Sequence, residues 1–444
     1  MSKRTHHAIS LFSNCGAGDV GYKKAGFTFD VMAELDKGRM SVCLLNHPNA
    51  HGVRGDLRIT WRDVVKAYKQ RTNGAELSLL AACPPCQGMS SARSGRGLGS
   101  DPDAGVKDAR NLLVTVISNV ARELKPRIII VENVQAFLTR KIKHPKTGAP
   151  ISAAKLLMQD LKKNYVVFPV LVDLGEFGVP QTRKRTFLTF IRRDNPTLKT
   201  IIAENLFPYP TPSHALDYGG TPINLKEALS SFGLDSLDAS SPEKARSKKG
   251  IALHSVPVWS KHYYAMVASI PRHKGGSGWQ NNRCVQCGVV DVKEDDAVCP
   301  KCSGPLLRPV VKEKNSYRLV HGFKSSTYSR MKSYAPAATI TTATGHIGSN
   351  HTIHPFENRV FSALECALLQ TFPRNFKWGE AALERGHTRI RDMIGEAVPP
   401  LFTEKHGKVL IALLECRIPR NLITGDDLRC KRAVSRLDSN SGKN

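Results

Sequence analysis

Two short apolar runs, residues 77–82 and 128–131, carry no charge and show no helical periodicity. A strand needs runs of that length when both faces of its sheet are covered. Further strand-like stretches lie at residues 8–12, 29–35, 165–172 and 185–191. Between the first two runs, Leu112, Leu113, Val116, Ile117, Val120 and Leu124 follow helical spacing, and Pro126 closes that segment. Strands alternating with helices predict an α/β fold with a mostly parallel sheet, whose ligands gather at the carboxyl ends of the strands. Near residue 195 the pattern stops. Phe207-Pro208-Tyr209-Pro210-Thr211-Pro212 reads as an extended linker, because each proline also restrains the residue before it. From there to about residue 350 the chain is rich in Gly, Ser, Lys and Arg, with little periodicity. Patterning returns at residues 363–369 and in a helix over residues 400–414. Residues 421–444 are polar and basic and are expected to be poorly ordered.

The ends of these runs carry the chemistry. Ala82-Cys83-Pro84-Pro85-Cys86-Gln87 follows one, and Val131-Glu132-Asn133 closes the next. A thiolate at Cys86 can add to C6 of a pyrimidine if an acid supports charge at N3, and a carboxyl at Glu132 is such an acid. Cys83 and Cys86 are formally a C-x-x-C pair, so redox and metal readings stand beside the nucleophilic one. Cys83 directly follows an apolar strand and reads as a buried thiol, Cys86 as the exposed one. The Gly- and Ser-rich residues 88–105 read as a mobile lid or as an ordinary disordered loop. Nearer the N-terminus, residues 13–18 form a Gly-bearing turn between strand and helix, where backbone can approach a nucleotide-like ligand. Glu34 ends the next strand, where a carboxylate can accept hydrogen bonds from ribose hydroxyls, and Asp56 could receive an adenine amino group.

Charge and cysteines narrow the partners. The 444 residues hold 65 Lys and Arg against 38 Asp and Glu, a net charge of +27. Such an excess points to a polyanion, nucleic acid first, with a merely basic solvated surface as the alternative. No apolar stretch approaches the roughly 20 residues of a membrane span. No signal-peptide core follows Met1, which predicts a cytoplasmic, reducing setting and cysteines that are catalytic, metal-bound or buried. Cys284-x2-Cys287 and Cys299-x2-Cys302 can each place two thiolates on one metal, closing a tetrahedral structural Zn2+ site with no open position. Two pairs of free thiols would be the alternative.

The order of these motifs resembles the cytosine-C5 DNA methyltransferases of bacterial restriction–modification systems. The resemblance covers residues 8–193 and 335–415. It implies a Rossmann-like domain for S-adenosyl-L-methionine and a smaller target-recognition domain holding the zinc ribbon. The expected division is 1–195 for the first part of the catalytic domain, 196–350 for target recognition with the ribbon at 284–302, 351–415 returning to the catalytic domain, and 416–444 as a basic tail. By this resemblance Phe12, Asn14 and Gly16 cradle the cofactor, with Asn14 where glycine is usual. Glu34, Asp56 and Glu396 complete its site, Glu396 standing where the family usually has asparagine. Cys86 is the nucleophile and Glu132 the acid. Arg185, in Gly178-Val179-Pro180-Gln181-Thr182-Arg183-Lys184-Arg185, would reach cytosine O2 and the carboxylate, while Gln181 and Arg183 shape the site. The Gly395-Glu396-Ala397-Val398-Pro399-Pro400 motif would lead a helix back to the first strand. His273, Lys274, Trp279, Lys312, Tyr317, Arg318, His321 and Lys324 flank the cysteines as candidate DNA contacts. The implied substrate is double-stranded DNA, the enzyme a monomer, and a cognate restriction endonuclease a partner. The same chemistry on tRNA, or a non-catalytic zinc-containing DNA-binding protein, are the rival readings.

Overall fold

A computed structural model of the chain describes residues 5–85, 112–290, 292–314, 316–321 and 326–438. The first half lays down β1 (His6–Leu11), α1 (Ala17–Ala25), β2 (Phe27–Glu34), α2 (Lys37–Asn46), β3 (His51–Arg54), α3 (Leu57–Thr72) and β4 (Leu79–Ala82). It continues with α4 (Val114–Leu124), β5 (Ile128–Asn133), a small hairpin β6 (Lys141–Lys143) and β7 (Pro150–Ser152), α5 (Ala153–Leu161), β8 (Tyr165–Asp173) and β9 (Lys184–Arg192). A seven-stranded sheet has the order β3-β2-β1-β4-β5-β9-β8. The pairs from β3 to β5 are all parallel; β9 runs antiparallel to both β5 and β8. Ile9, Leu11, Leu80, Ile129 and Val131 are essentially inaccessible, which is why these strands read as unbroken apolar runs. Helices α2, α3 and α5 begin at Asp36, Asp56 and Ser152 with a side-chain oxygen on an early amide, whereas α1 begins at Gly16 and α4 at Leu113 without one.

Two compact units emerge, the first comprising residues 1–178, 183–221 and 397–444, the second residues 179–182 and 222–396. The first continues through α6 (Leu198–Ala203) and β10 (Leu206–Pro210). The second holds α7 (Leu225–Phe232), α8 (Lys261–Ala268), β11 (Lys274–Ser277), β12 (Val310–Lys312), β13 (Tyr317–Leu319), β14 (Ser329–Lys332), α9 (Ala363–Leu369) and α10 (Thr388–Glu396). The chain then returns to the first unit as α11 (Pro400–Leu414), β15 (Leu422–Thr424) and α12 (Leu428–Asp438). Residues 222–396 group together in the second unit, where Glu365, Arg359 and Arg391 are tied to partners, and the chain rejoins the sheet unit at residue 397.

Helix α11 lies against α1 as closely as two helices can. A Cβ on Gly21 would sit 2.2 Å from the Pro400 carbonyl, and one on Gly407 2.7 Å from the Ala25 Cβ. His406, fully buried on α11, faces the hydroxyls of Tyr22 and Thr189 and stacks on Tyr209; burial pulls it down to about 3 and keeps it neutral.

The C-terminal residues correct an expectation. Residues 421–438 are a strand and a helix, with β15 paired to β10 and α12 packed on β8. Cys430, Ala433 and Leu437 recur at helical spacing and are buried, the last two in the core of the sheet unit. Arg429 is 2 % exposed and paired with Glu176, Asp217 and Asp427. Three small or apolar residues among many charges made the segment look like a tail. Replacing Ala433 with Asp would bury an unpaired carboxylate, at a cost of roughly 2–4 kcal/mol. Differential scanning fluorimetry is expected to show Ala433→Asp melting about 5–10 °C below wild type, with the exposed Arg432→Asp close to it.

Candidate active site

The acid is fixed by strand register. Antiparallel β5 and β9 pair Glu132 with Phe187 and Asn133 with Thr186, so Arg185 falls one residue beyond the last pair. Its Nε lies 3.0 Å from Glu132 Oε1, and the two side chains are only 15 % and 8 % exposed. The other carboxylate oxygen, Oε2, accepts the Cys83 thiol at 2.7 Å. Asn133 ties the loop after β4 to the end of β5: its Nδ2 donates to the Pro84 carbonyl at 2.9 Å and its Oδ1 accepts the Val134 amide. A sequestered carboxyl between a guanidinium and a thiol is equipped to hold or release a proton at a fixed point. Cys86 and the loop expected over residues 88–105 lie outside the described residues, which stop at Pro85 on this side. The Cys83 contact was not foreseen; sequence patterning assigned that thiol to burial alone, and it is half-buried.

A second cluster sits at the ends of β1 and β2. Phe12, Asn14 and Gly16 all take positive φ, at 58°, 49° and 74°. Alternating left-handed residues turn the chain sharply, and for Phe12 this conformation is strained. Asn14 does here what a glycine would do more cheaply. Glu34 holds the turn from outside: Oε2 accepts the Asn14 amide at 2.9 Å, and Oε1 accepts the Leu35 and Asp36 amides at 3.0 and 3.1 Å. Three backbone donors orient the carboxylate and leave lone-pair capacity on Oε2 for a ligand hydroxyl. The α1 N-terminus, with Gly16 as its uncapped first flank, presents backbone amides beside it. These residues therefore fit the nucleoside end of S-adenosylmethionine. Asp56 is more committed than expected. It caps α3 through the Arg58 amide at 2.9 Å and is chelated by the Arg58 guanidinium, which holds its carboxyl below the usual range. Glu396 ends α10 in the second unit.

His47 was missed. Its Nε2 lies 2.9 Å from the Gly16 carbonyl, and burial pulls the imidazole down to about 4, so it stays neutral and donates. A lone His after an amphipathic helix carries no signal in one sequence.

Gln181 and Arg183 are both buried. Gln181 is fully buried in the second unit, its Nε2 donating to the Leu369 carbonyl and Gln370 Oε1 and its Oε1 accepting the Ile340 amide. Arg183 is 1 % exposed and donates from Nη2 to the Ala397 carbonyl at 2.9 Å. These contacts brace the backbone at Ile340, Leu369 and Ala397 and the side chain of Gln370.

The cysteine pairs converge. Sγ atoms of Cys284, Cys287, Cys299 and Cys302 all lie within 4.8 Å of one another. Each pair sits on a turn closed by backbone bonds, Gly288 N to Cys284 O and Ser303 N to Cys299 O, both 2.9 Å. Arg308, fully buried, gathers the connecting loop by donating to the carbonyls of Asn281, Glu294 and Asp296. Of the flanking candidates, Trp279 belongs to the core: it is 6 % exposed and its Nε1 donates to Thr327 Oγ1. Arg318 is exposed and paired with Glu313, and Lys324 lies outside the described residues.

A family model described as C-5 cytosine-specific DNA methylase matches residues 6–412. The Avibacterium volantium type II methyltransferase M1.HgaI is 25% identical over 90% of this chain and 97% of its own. The type II methyltransferase M.DdeI of Desulfomicrobium norvegicum is 25% identical over 96% and 93%. Among solved structures, an Escherichia coli prophage protein solved as a candidate DNA modification methyltransferase superposes with a TM-score of 0.55 at 20% identity, over 93% of this chain and all of its own. A Spodoptera frugiperda DNMT2 mutant gives 0.52 at 14% identity, over 92% and 100%. These last two likenesses bear on the fold.

A Cβ at Gly16 would meet the His47 ring at 2.8 Å with φ already positive. Gly16→Ala is therefore expected to weaken S-adenosylmethionine binding at least about tenfold by calorimetry, since lost turn geometry is worth roughly 1–3 kcal/mol.

Proposed function

Because this chain belongs to the C-5 cytosine-specific DNA methylase family and is a DNA cytosine-5 methyltransferase, we propose that it moves a methyl group from S-adenosylmethionine to C5 of a cytosine turned out of a short specific duplex sequence. The observation that carries this reading is the sequestered Glu132 carboxyl, with Arg185 Nε 3.0 Å from one of its oxygens. Unstacking the base costs roughly a few kcal/mol, offset by contacts in the pocket. The Cys86 thiolate then bonds to C6, and the displaced electron pair collects at N3, where Glu132 delivers its proton. Arg185 steadies O2. C5, now electron-rich, takes the methyl group, the donor sulfur leaves with the bonding pair as a neutral thioether, and N3 returns its proton to Glu132; loss of the C5 proton to a base such as water and rupture of the C6–S bond restore the ring and the thiolate. S-adenosylmethionine supplies an electrophilic methyl group on a positively charged sulfur. Phe12, Asn14 and Gly16 would hold it by backbone, Glu34 by its ribose hydroxyls, and Glu396 by motif position. Asp56 would meet the adenine amino group only by sharing its oxygens with Arg58.

The four cysteines support a structural zinc ribbon. Zn–S bonds of about 2.3 Å in a tetrahedron separate sulfurs by about 3.8 Å, and Cys284–Cys302 and Cys287–Cys299 lie at 3.6 and 3.5 Å. Four thiolates saturate the metal, which would brace the basic second unit for DNA. The relatives named as type II methyltransferases support a restriction–modification setting with a cognate endonuclease. Among the described residues, no helix is long and apolar enough to cross a membrane; a cytoplasmic monomer is the reading that suits DNA modification.

Tritiated S-adenosylmethionine with unmethylated plasmid, followed by sequencing of methylcytosines, is expected to place label at one short sequence; label on tRNA alone would overturn the reading. Glu132→Gln keeps shape but has no proton to give, and kcat is expected to fall about 10²–10⁴-fold. Elemental analysis should find one zinc per chain, lost in Cys299→Ser together with sequence-specific DNA binding.

A further inference from the structure

Cys83 stands where the mechanism has no use for it, yet its thiol is aimed at the acid. Its backbone amide is held by the Leu11 carbonyl at the end of β1. The next residue, Pro84, is fastened by Asn133. The side chain therefore arrives at Glu132 from a loop anchored on two strands, with Sγ 2.7 Å from Oε2. On the other oxygen, Arg185 Nε is 3.0 Å away. A guanidinium only donates, so Oε1 cannot direct a proton toward it. The transferable proton of Glu132 must sit on Oε2, the oxygen that faces Cys83.

We propose that Cys83 is a positioning residue for methyl transfer, its thiol donating to Oε2 of Glu132 and stabilising the carboxylate left when that proton passes to cytosine N3. This rests on the reading of Glu132 as the N3 acid. While Glu132 is neutral, the S–H bond to Oε2 joins two uncharged groups. Once the proton has moved to N3, the same bond ends on an anion and is roughly twice as strong. Only the state after proton transfer gains, which lowers the barrier without tightening substrate binding. Cys83 keeps its own proton throughout, and nothing is oxidised.

Removing the thiol should change the pH profile in a direction that can be worked out. A donor to the ionised form lowers the proton affinity of a carboxyl, so its loss raises that affinity. Among the described residues, the titratable and charged groups facing Glu132 are Arg185 from β9, Cys83 from the end of β4 and, further off, the Tyr22 phenol from α1. Burial pushes the Tyr22 phenol up and keeps it neutral across the working range, and the proposed proton delivery to N3 makes the limb on which kcat falls with rising pH the one that reports on Glu132.

The test is kcat, both KM values and the kcat–pH profile for wild type, Cys83→Ala and Cys83→Ser, with melting temperatures as folding controls. Cys83→Ala is expected to lose about tenfold in kcat, with KM for DNA and S-adenosylmethionine within about twofold and the Glu132 limb moved to higher pH. Cys83→Ser restores a donor and should recover most of kcat and the original limb. Wild-type kcat and an unmoved limb in Cys83→Ala would overturn the proposal. So would equal losses in both variants alongside lowered melting temperatures, which mark packing alone. A wild-type protein that methylates no DNA cytosine would instead overturn the reading of the site on which the proposal rests.

Discussion

A carboxyl placed at the end of a fully buried strand is costly, and the architecture around Glu132 is arranged to meet that cost. Taking a charge out of water is penalised by several kcal/mol unless opposite charge and hydrogen bonds replace the solvent. The insertion of β9 antiparallel between β5 and β8 supplies both. A parallel neighbour would present its amino end elsewhere; reversing the strand brings its first residues to the carboxyl end of β5. Arg185 is therefore beside Glu132 by topology rather than by a chance of loop conformation. The β4 loop closes the remaining side through Cys83 and the Asn133 latch.

Much of the sheet unit was legible because burial on both faces writes itself as apolar runs. The run at residues 128–131 became β5, extended to take in Glu132 and Asn133, and the helix read over 400–414 is α11. The reversal of β9 was not legible, since an apolar run is the same read in either direction. Helix α12 was missed for the opposite reason: Ala433 and Leu437 carry its burial amid charge, and Arg429, which looks like a solvated tail residue, is spent on Glu176, Asp217 and Asp427. The motif around Gln181 was read as shaping the site, and its side-chain contacts are with neighbouring backbone and Gln370. Position in sequence marks that a residue matters, whereas only packing tells whether its side chain faces a ligand or the backbone.

The second unit defied periodicity because it is organised by arginines as much as by apolar faces. Arg330 is buried against the carbonyls of Val267, His354 and Glu357, and burial beside another cation pulls it down to about 10. Arg359 binds Glu365 through two contacts of 2.7 Å, with both side chains almost inaccessible. Arg308 does the same for the loop between the cysteine pairs. Each guanidinium satisfies carbonyls that a helix or sheet would otherwise satisfy. Such a scaffold leaves no periodic trace, and it lets a segment with small apolar clusters keep irregular loops in fixed shapes.

Residues 179–182 belong to the second unit although the chain on either side belongs to the first. Gln181 in this excursion is bonded to Ile340, Leu369 and Gln370, which lie far along the sequence. The polypeptide thus crosses between its units at four places instead of two. A graft of residues 222–396 alone would leave Gln181 to be matched by new partners at positions 340, 369 and 370. Any exchange of the second unit is thereby tied to four residues in the connection that leads into β9.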